Sequence, residues 1–181
     1  MQRYLFLMLG FLGSGKSYVS KWLAPHTGAV LFRVDPLRWQ MFGEDRPELY
    51  TAENKALVNN AAQYAAGQVL ESGLANVISD ANHNQRFVRN HVRAIAKKHG
   101  ATGIVVWVQT PLEIAKERTI EREKTEGHKL MEENLVEKMA KRLEKPGDDE
   151  LVIHIDGLAT AEEQKRQFDE QFALIQQNNL Q

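Results

Sequence analysis

Five short apolar runs punctuate the chain: YLFLML at 4–9, AVLFRV at 29–34, ANVIS at 75–79, GIVVWV at 103–108 and LVIHI at 151–155. Apolar residues are nearly continuous within them, the pattern of strands covered on both faces rather than one. The intervening segments carry helical spacing. One opens at Gly15, a long one covers roughly 49–72 before Gly73, and another covers about 84–98 before Gly100. A fourth begins after Pro111 and the last covers about 160–176. Strands alternating with helices predict an α/β fold, a parallel sheet with helices packed on it. At 181 residues the simplest organisation is one domain spanning 1–181, long enough to bury a substantial core. The final QQNNLQ is expected to fray.

One stretch breaks the rhythm. Residues 118–145, RTIEREKTEGHKLMEENLVEKMAKRLEK, are dense in charge, hold Gly127 near the centre and contain no apolar run. They read either as a solvated helical hairpin or as a hinged, charged lid inserted in the domain.

The first apolar run can open a secretory leader or form a strand leading into a loop. The residues just after it decide between the two. Residues 10–17, GFLGSGKS, match G-x-x-x-x-G-K-[ST], a pattern with about a 1 % chance of arising somewhere in a chain this long at average residue usage. The match comes after a strand and opens a helix, SYVSKWLA. Gly10, Gly13 and Gly15 permit backbone angles and close approach that a side chain would deny. Backbone N–H groups around Ser14 can then converge on phosphates, with the positive end of the helix behind them. Lys16 would reach the β- and γ-phosphates, and the Ser17 hydroxyl would hold magnesium. Gly10 interrupts the apolar run and no small-x-small cleavage site comes after it, so a cytoplasmic nucleotide-binding protein is expected, not an exported one.

Ligands of an open parallel sheet sit at the carboxyl ends of its strands. The second run ends in RVDPLRW, which puts Asp35 just past a strand end and Arg38 three residues on. A carboxylate there can accept the proton of an attacking hydroxyl, and an arginine can hold an anionic group on the acceptor. Asp35-Pro36 also makes a good helix cap and turn, and spacing alone leaves both readings open. The third run leads into SDANHN. Asp80 can hold magnesium through water or orient a neighbour. Asn82, His83 and Asn84 can donate to a substrate; otherwise Asn82 and Asn84 close a local Asx turn, and His83 reads as an exposed loop histidine. Arg118 and Arg122 are four apart, so they share one face of a helix. A guanidinium can stack on a purine or neutralise a phosphoryl group, or the pair can simply balance Glu121 and Glu126.

Taken together, GFLGSGKS, the D-x-x-R of Asp35 and Arg38, SDANHN after a strand, and the R-x-x-x-R of Arg118 and Arg122 resemble the P-loop kinases related to polynucleotide 5′-hydroxyl kinase. Gluconate, shikimate and adenylate kinases, the zeta-toxin group and AAA-type ATP-binding kinases are similar in outline. The resemblance extends from Tyr4 to the final helix. It implies a three-layer α/β/α sandwich with five parallel strands in the order 2-3-1-4-5, and ATP with Mg²⁺ as cofactors. It implies further that Asp35 is the general base, that Arg38 binds the acceptor, that Arg118 lies over the adenine and that Arg122 meets the transferring phosphate. The loop after Asp156-Gly157 would complete the adenine pocket through its backbone. The chain departs from the pattern at Phe11 and Leu12, where a proline is usual before Gly13, at Tyr18, where threonine is common, and at Ala81, where threonine is frequent.

Charge narrows the acceptor. The formal net charge is −1 and the isoelectric point about 6.6, so no broad basic field gathers a long nucleic acid. The absence of cysteine removes disulfides, thiolate metal sites and cysteine nucleophiles. No run approaches a membrane span. A small-molecule or nucleoside-type hydroxyl is therefore the first expected acceptor. A 5′-hydroxyl RNA end comes second and a nucleotide sugar third. A nucleotide-dependent switch or ATPase is the alternative of another class. Guanine specificity is disfavoured, because the one Asn-Lys, Asn54-Lys55, precedes Ala-Leu inside a predicted helix. Trp107 is expected in the core and His154 in a core or edge strand.

Overall fold

The computed structural model describes residues 2–43, 46–126 and 135–178. In chain order they form β1 (Arg3–Leu9), α1 (Lys16–Thr27), β2 (Ala29–Arg33), α2 (Val34–Phe42), a 3₁₀ turn at Pro47–Leu49, α3 (Ala52–Ser72) and β3 (Asn76–Asp80). Then come α4 (Arg86–Lys98), β4 (Ala101–Gln109), α5 (Leu112–Glu126), α6 (Leu135–Lys141), β5 (Val152–Asp156) and α7 (Ala161–Asn178). All strand pairs are parallel and the sheet order is β2-β3-β1-β4-β5, as the resemblance implies.

The alternation of side chains along β1 builds the three layers. Tyr4, Phe6 and Met8 pack with Val19 and Leu23 of α1 and with Phe168 and Ile175 of α7. Leu5 and Leu7 point the other way, onto Ala66 and Leu70 of α3 and Val92 and Ala96 of α4. Both faces are dry, which is why the run has no polar position. Phe6 meets the ring of Phe168 edge-on at 5.6 Å, a favoured aromatic geometry. Helix α3 starts where the Thr51 hydroxyl accepts the Asn54 amide at 3.2 Å, a side-chain cap for a first-turn donor.

The boundaries depart from expectation in places that bear on function. β2 stops at Arg33 and α2 begins without a loop, so Asp35 lies in the first turn of a helix the apolar pattern did not indicate. Arg33, not Asp35, occupies the cap position and makes no side-chain cap bond, so the capping reading of Asp35 fails. α5 begins at Leu112 and runs to Glu126, so the first third of the charged stretch continues a helix that follows β4. Gly127, the centre of the expected hairpin, lies outside the described residues. Trp107 is only half-buried, with its ring 5.5 Å from that of His154. His154 is exposed on the edge strand, as its edge reading had it. Among the described residues no helix is long and apolar enough to cross a membrane.

Candidate active site

The loop from Gly10 to Ser17 leaves β1 at the carboxyl edge of the sheet, with strands on both sides of it, the place where such sheets bind ligands. Gly15 turns the chain with φ 98° and begins α1, a conformation that L side chains disfavour. At Gly13 (φ 80°) a Cβ would lie 2.1 Å from the Ala115 carbonyl oxygen and 2.4 Å from Thr119 Oγ1. α5 therefore rests directly on the loop. The Thr110 hydroxyl donates to the Ser14 carbonyl at 2.8 Å. The amides of Gly15, Lys16 and Ser17 fall where a helix leaves N–H groups without intrahelical acceptors. Ser14 is fully buried, and its hydroxyl has no hydrogen-bond partner among the described residues. Donors without acceptors around a glycine cradle are what an anion requires.

Lys16 folds over this cradle, its ammonium donating to the Gly10 and Phe11 carbonyls at 2.8 and 2.6 Å. Burial lowers its pKa to about 8, against the attraction of Asp80 and Asp35, with Arg122 lowering it further. One ammonium thus feels both acidic residues and the second arginine proposed from sequence.

Asp80 ends β3 and is buried. It accepts the Ser20 hydroxyl at 3.2 Å and lies 3.6 Å from Arg33 Nε, its register partner on β2. Asp35 is exposed and takes Arg38 at 2.7 Å, one helical turn on. Arg38 Nε is buried with no hydrogen-bond partner among the described residues, so the guanidinium keeps a donor in reserve. Asn82 is exposed, and its side-chain oxygen accepts the Asn84 amide at 3.1 Å, the local Asx turn.

His83 corrects the sequence reading. It is 2 % exposed, with Nδ1 3.1 Å from the Met8 carbonyl and Nε2 3.2 Å from the Ser79 hydroxyl. A carbonyl only accepts, so Nδ1 carries the proton and Nε2 takes the serine O–H. The ring pins the Asp80–Asn84 loop to the strand that feeds the phosphate loop. Burial is the main cause that lowers its pKa, to about 4, against the Met8 bond that favours charge, with Arg89 and Lys16 repelling a second cation. The unfolded chain takes up this proton near pH 6.5 and the folded one does not. Stability is therefore full above pH 6.5 and falls toward pH 4, by about 2 kcal/mol at pH 5 from this group. Urea unfolding at pH 7.5 and pH 5 should show that loss in the wild type and a shallower one in His83→Asn.

On α5, Arg118 donates to the Gly157 carbonyl at 3.1 Å and approaches Gly15 from the side, with NH1 3.9 Å from where a Cβ would be. It bridges the phosphate loop and the turn after β5. Arg122 is exposed one turn further on. Lys124 lies 3.7 Å from Glu121.

Three participants were not identified from sequence. Arg33 and Ser20 border Asp80. The first shows only as a charge inside an apolar strand, and the second as a small residue one turn into α1. The third is the Arg89–Glu150 pair, both buried, bonded bidentately through Nε and Nη2 at 2.8 and 2.9 Å. Arg89 also donates to the carbonyls of His83, Asn84, Glu144 and Lys145. It ties the Asn82 loop to the segment after α6. The partners are about sixty positions apart, and no local pattern announces them.

The chain is similar in fold to an unliganded sugar kinase from Janibacter sp. HTCC2649, at TM-score 0.69 and 20 % identity over 93 % of this chain and 94 % of that one. It is similar to a gluconokinase from Sinorhizobium meliloti 1021, at 0.70 and 20 % over 99 % and 95 %. A chain of the Pnkp1/Rnl/Hen1 RNA repair complex matches at 0.68 and 20 %, over 78 % of this chain and 44 % of that one. At such identities these likenesses show the fold alone. No curated protein sequence matches the chain. The family is nonetheless plain, since residues 5–146 match its pattern: the chain belongs to the AAA domain family.

Proposed function

We propose that this protein is a kinase that transfers the γ-phosphoryl group of ATP·Mg²⁺ to a hydroxyl of a small-molecule or nucleoside-type acceptor. The observation that carries this reading is the placement of the phosphate loop after β1, Asp80 at the end of β3 and Asp35 just past β2, all at the carboxyl edge of one parallel sheet. A phosphate loop serves many ATPases. A phosphate loop with an exposed carboxylate past the carboxyl end of β2, two strands away in the same sheet, suits transfer to a hydroxyl. The sugar-kinase and RNA-repair likenesses are consistent with it.

In this reading Gly10, Gly13, Ser14 and Gly15 surround the phosphates, with Lys16 and Arg122 opposing the charge on the transferring group. Arg38 leaves Asp35 to hold an anionic group of the acceptor, and Asp35 takes the hydroxyl proton. Asn82 faces the acceptor from the opposite loop. Magnesium would neutralise phosphate charge, with the Ser17 hydroxyl as ligand and Asp80 acting through water. The fit is reasonable, because Asp80 is a carboxylate near the loop whose partners are one hydroxyl and one long ion pair. α5 and α6 act as the lid; Gly13 and Thr119 fix its root, so closure belongs to residues beyond Thr119. Excluding water there limits wasteful hydrolysis.

An ADP-release screen over sugars, nucleosides, nucleotide sugars and 5′-hydroxyl oligonucleotides tests this. Slow hydrolysis alone and a stimulated rate with one class are expected. An unchanged rate with every class would count against a kinase and favour an ATPase or switch.

Lys16 gives a second expectation. Nucleotide phosphates favour its charged form, so ADP binding at pH 8 should take up about half a proton. Uptake should vanish by about pH 6.5, where the lysine is already charged. Calorimetry in two buffers of different ionisation enthalpy reads it directly.

A further inference from the structure

The free edge of β5 is occupied by glutamines. Gln171 accepts the His154 amide and donates to the His154 carbonyl, both at 2.8 Å. Gln167 accepts the Asp156 amide at 2.9 Å, and Gln164 donates to the Asp156 carbonyl at 2.9 Å. The three sit on one face of α7, three and four residues apart. They satisfy backbone groups that an edge strand otherwise exposes.

Gln164 differs from the other two. It is 3 % exposed, and its oxygen accepts the indole N–H of Trp22 on α1 at 3.3 Å. It therefore joins the helix that opens at the phosphate loop to the last residue of β5. The next residue, Gly157, donates its amide to the Gln109 carbonyl at 2.8 Å. A Cβ on Gly157 would lie 1.8 Å from Thr110 Oγ1 and 2.9 Å from the Ser14 carbonyl oxygen. The turn is seated on the phosphate loop with no space between. Its carbonyl receives Arg118, which also flanks Gly15. Gly157, Arg118 and the loop are contiguous, so a nucleoside whose phosphates sit on Gly13–Gly15 would have this wall beside it.

We propose that Gln164 is a positioning residue of the nucleotide site: braced by Trp22, it fixes the Asp156–Gly157 turn and with it the wall that meets the nucleoside. It acts through the backbone of the turn and not on the nucleotide. The inference rests on the reading of residues 10–17 as a nucleotide site. It does not require that a phosphoryl group be transferred.

Two ligands separate a wall effect from general loosening. ADP uses the loop and the wall; inorganic tripolyphosphate has no nucleoside and uses the loop alone. Gln164→Met keeps length and packing but removes both hydrogen bonds. It is expected to weaken ADP roughly tenfold and to narrow ATP-over-GTP preference, while tripolyphosphate stays within about twofold. Trp22→Phe, which removes the brace together with part of the indole's packing on His26 and Phe168, should shift ADP in the same direction by a smaller factor and leave tripolyphosphate within about twofold. It keeps the test available if the first variant does not fold. Equal weakening of both ligands, or unchanged ADP affinity in a folded variant, would overturn the proposal. A wild type that binds neither ligand would remove the nucleotide site and this inference with it. A wild type that binds ADP but phosphorylates nothing removes only the kinase.

Discussion

Asp35→Asn is expected to lower phosphoryl transfer by about 10²–10⁴-fold, the usual contribution of a positioned base, and to leave ADP affinity within about twofold. The substitution keeps the shape of the first turn of α2 and an oxygen facing Arg38, which now donates to the carboxylate at 2.7 Å. What it removes is the ability to accept a proton. The loop that would hold nucleotide lies on a different element, joined to β1 and α1. Binding and transfer should therefore separate, and rapid-quench assays beside calorimetry resolve the two. Equal losses in both would mean that Asp35 shapes the loop and is no base.

The second large effect is on stability. Arg89→Met should destabilise the fold by about 3–5 kcal/mol, because it leaves the Glu150 carboxylate buried without its cation. Glu150 is a group that burial alone would keep protonated; Arg89, the Gly147 amide and Arg93 instead hold its pKa below the ordinary range. The double variant Arg89→Met/Glu150→Leu should recover only part of the loss. Removing both charges ends the desolvation penalty, but the carbonyls of His83, Asn84, Glu144 and Lys145 still lose their donor. Urea midpoints of the three proteins measure this. A single variant within about 1 kcal/mol of wild type would show that the clamp is not a structural centre.

These two residues also mark how far the sequence is legible. The place of Asp35 just past a strand end could be read, because the apolar run before it stops at Val34 and β2 ends at Arg33. The parallel sheet and its covering helices came from the two-faced apolar runs, since strands buried on both faces admit no polar position; the strand order came from the family resemblance alone. Arg89 could not be found, because its partners are backbone carbonyls, which carry no side-chain signal, and a carboxylate about sixty residues away. His83 was misread for the same reason: its burial comes from Met8, on a strand seventy-five positions earlier. Helix α2 was missed because β2 runs into it with no intervening turn residue. Pro36, which looks like punctuation, sits harmlessly in its first turn.

The most direct measurement tracks the γ-phosphoryl group of ATP by ³¹P NMR in the presence of each acceptor class, with wild type and Asp35→Asn side by side. The expected result is a phosphomonoester signal with one class, formed by wild type and absent with Asp35→Asn over the same time. Inorganic phosphate as the sole product with every acceptor, at a rate the substitution leaves unchanged, would contradict a kinase with Asp35 as its base.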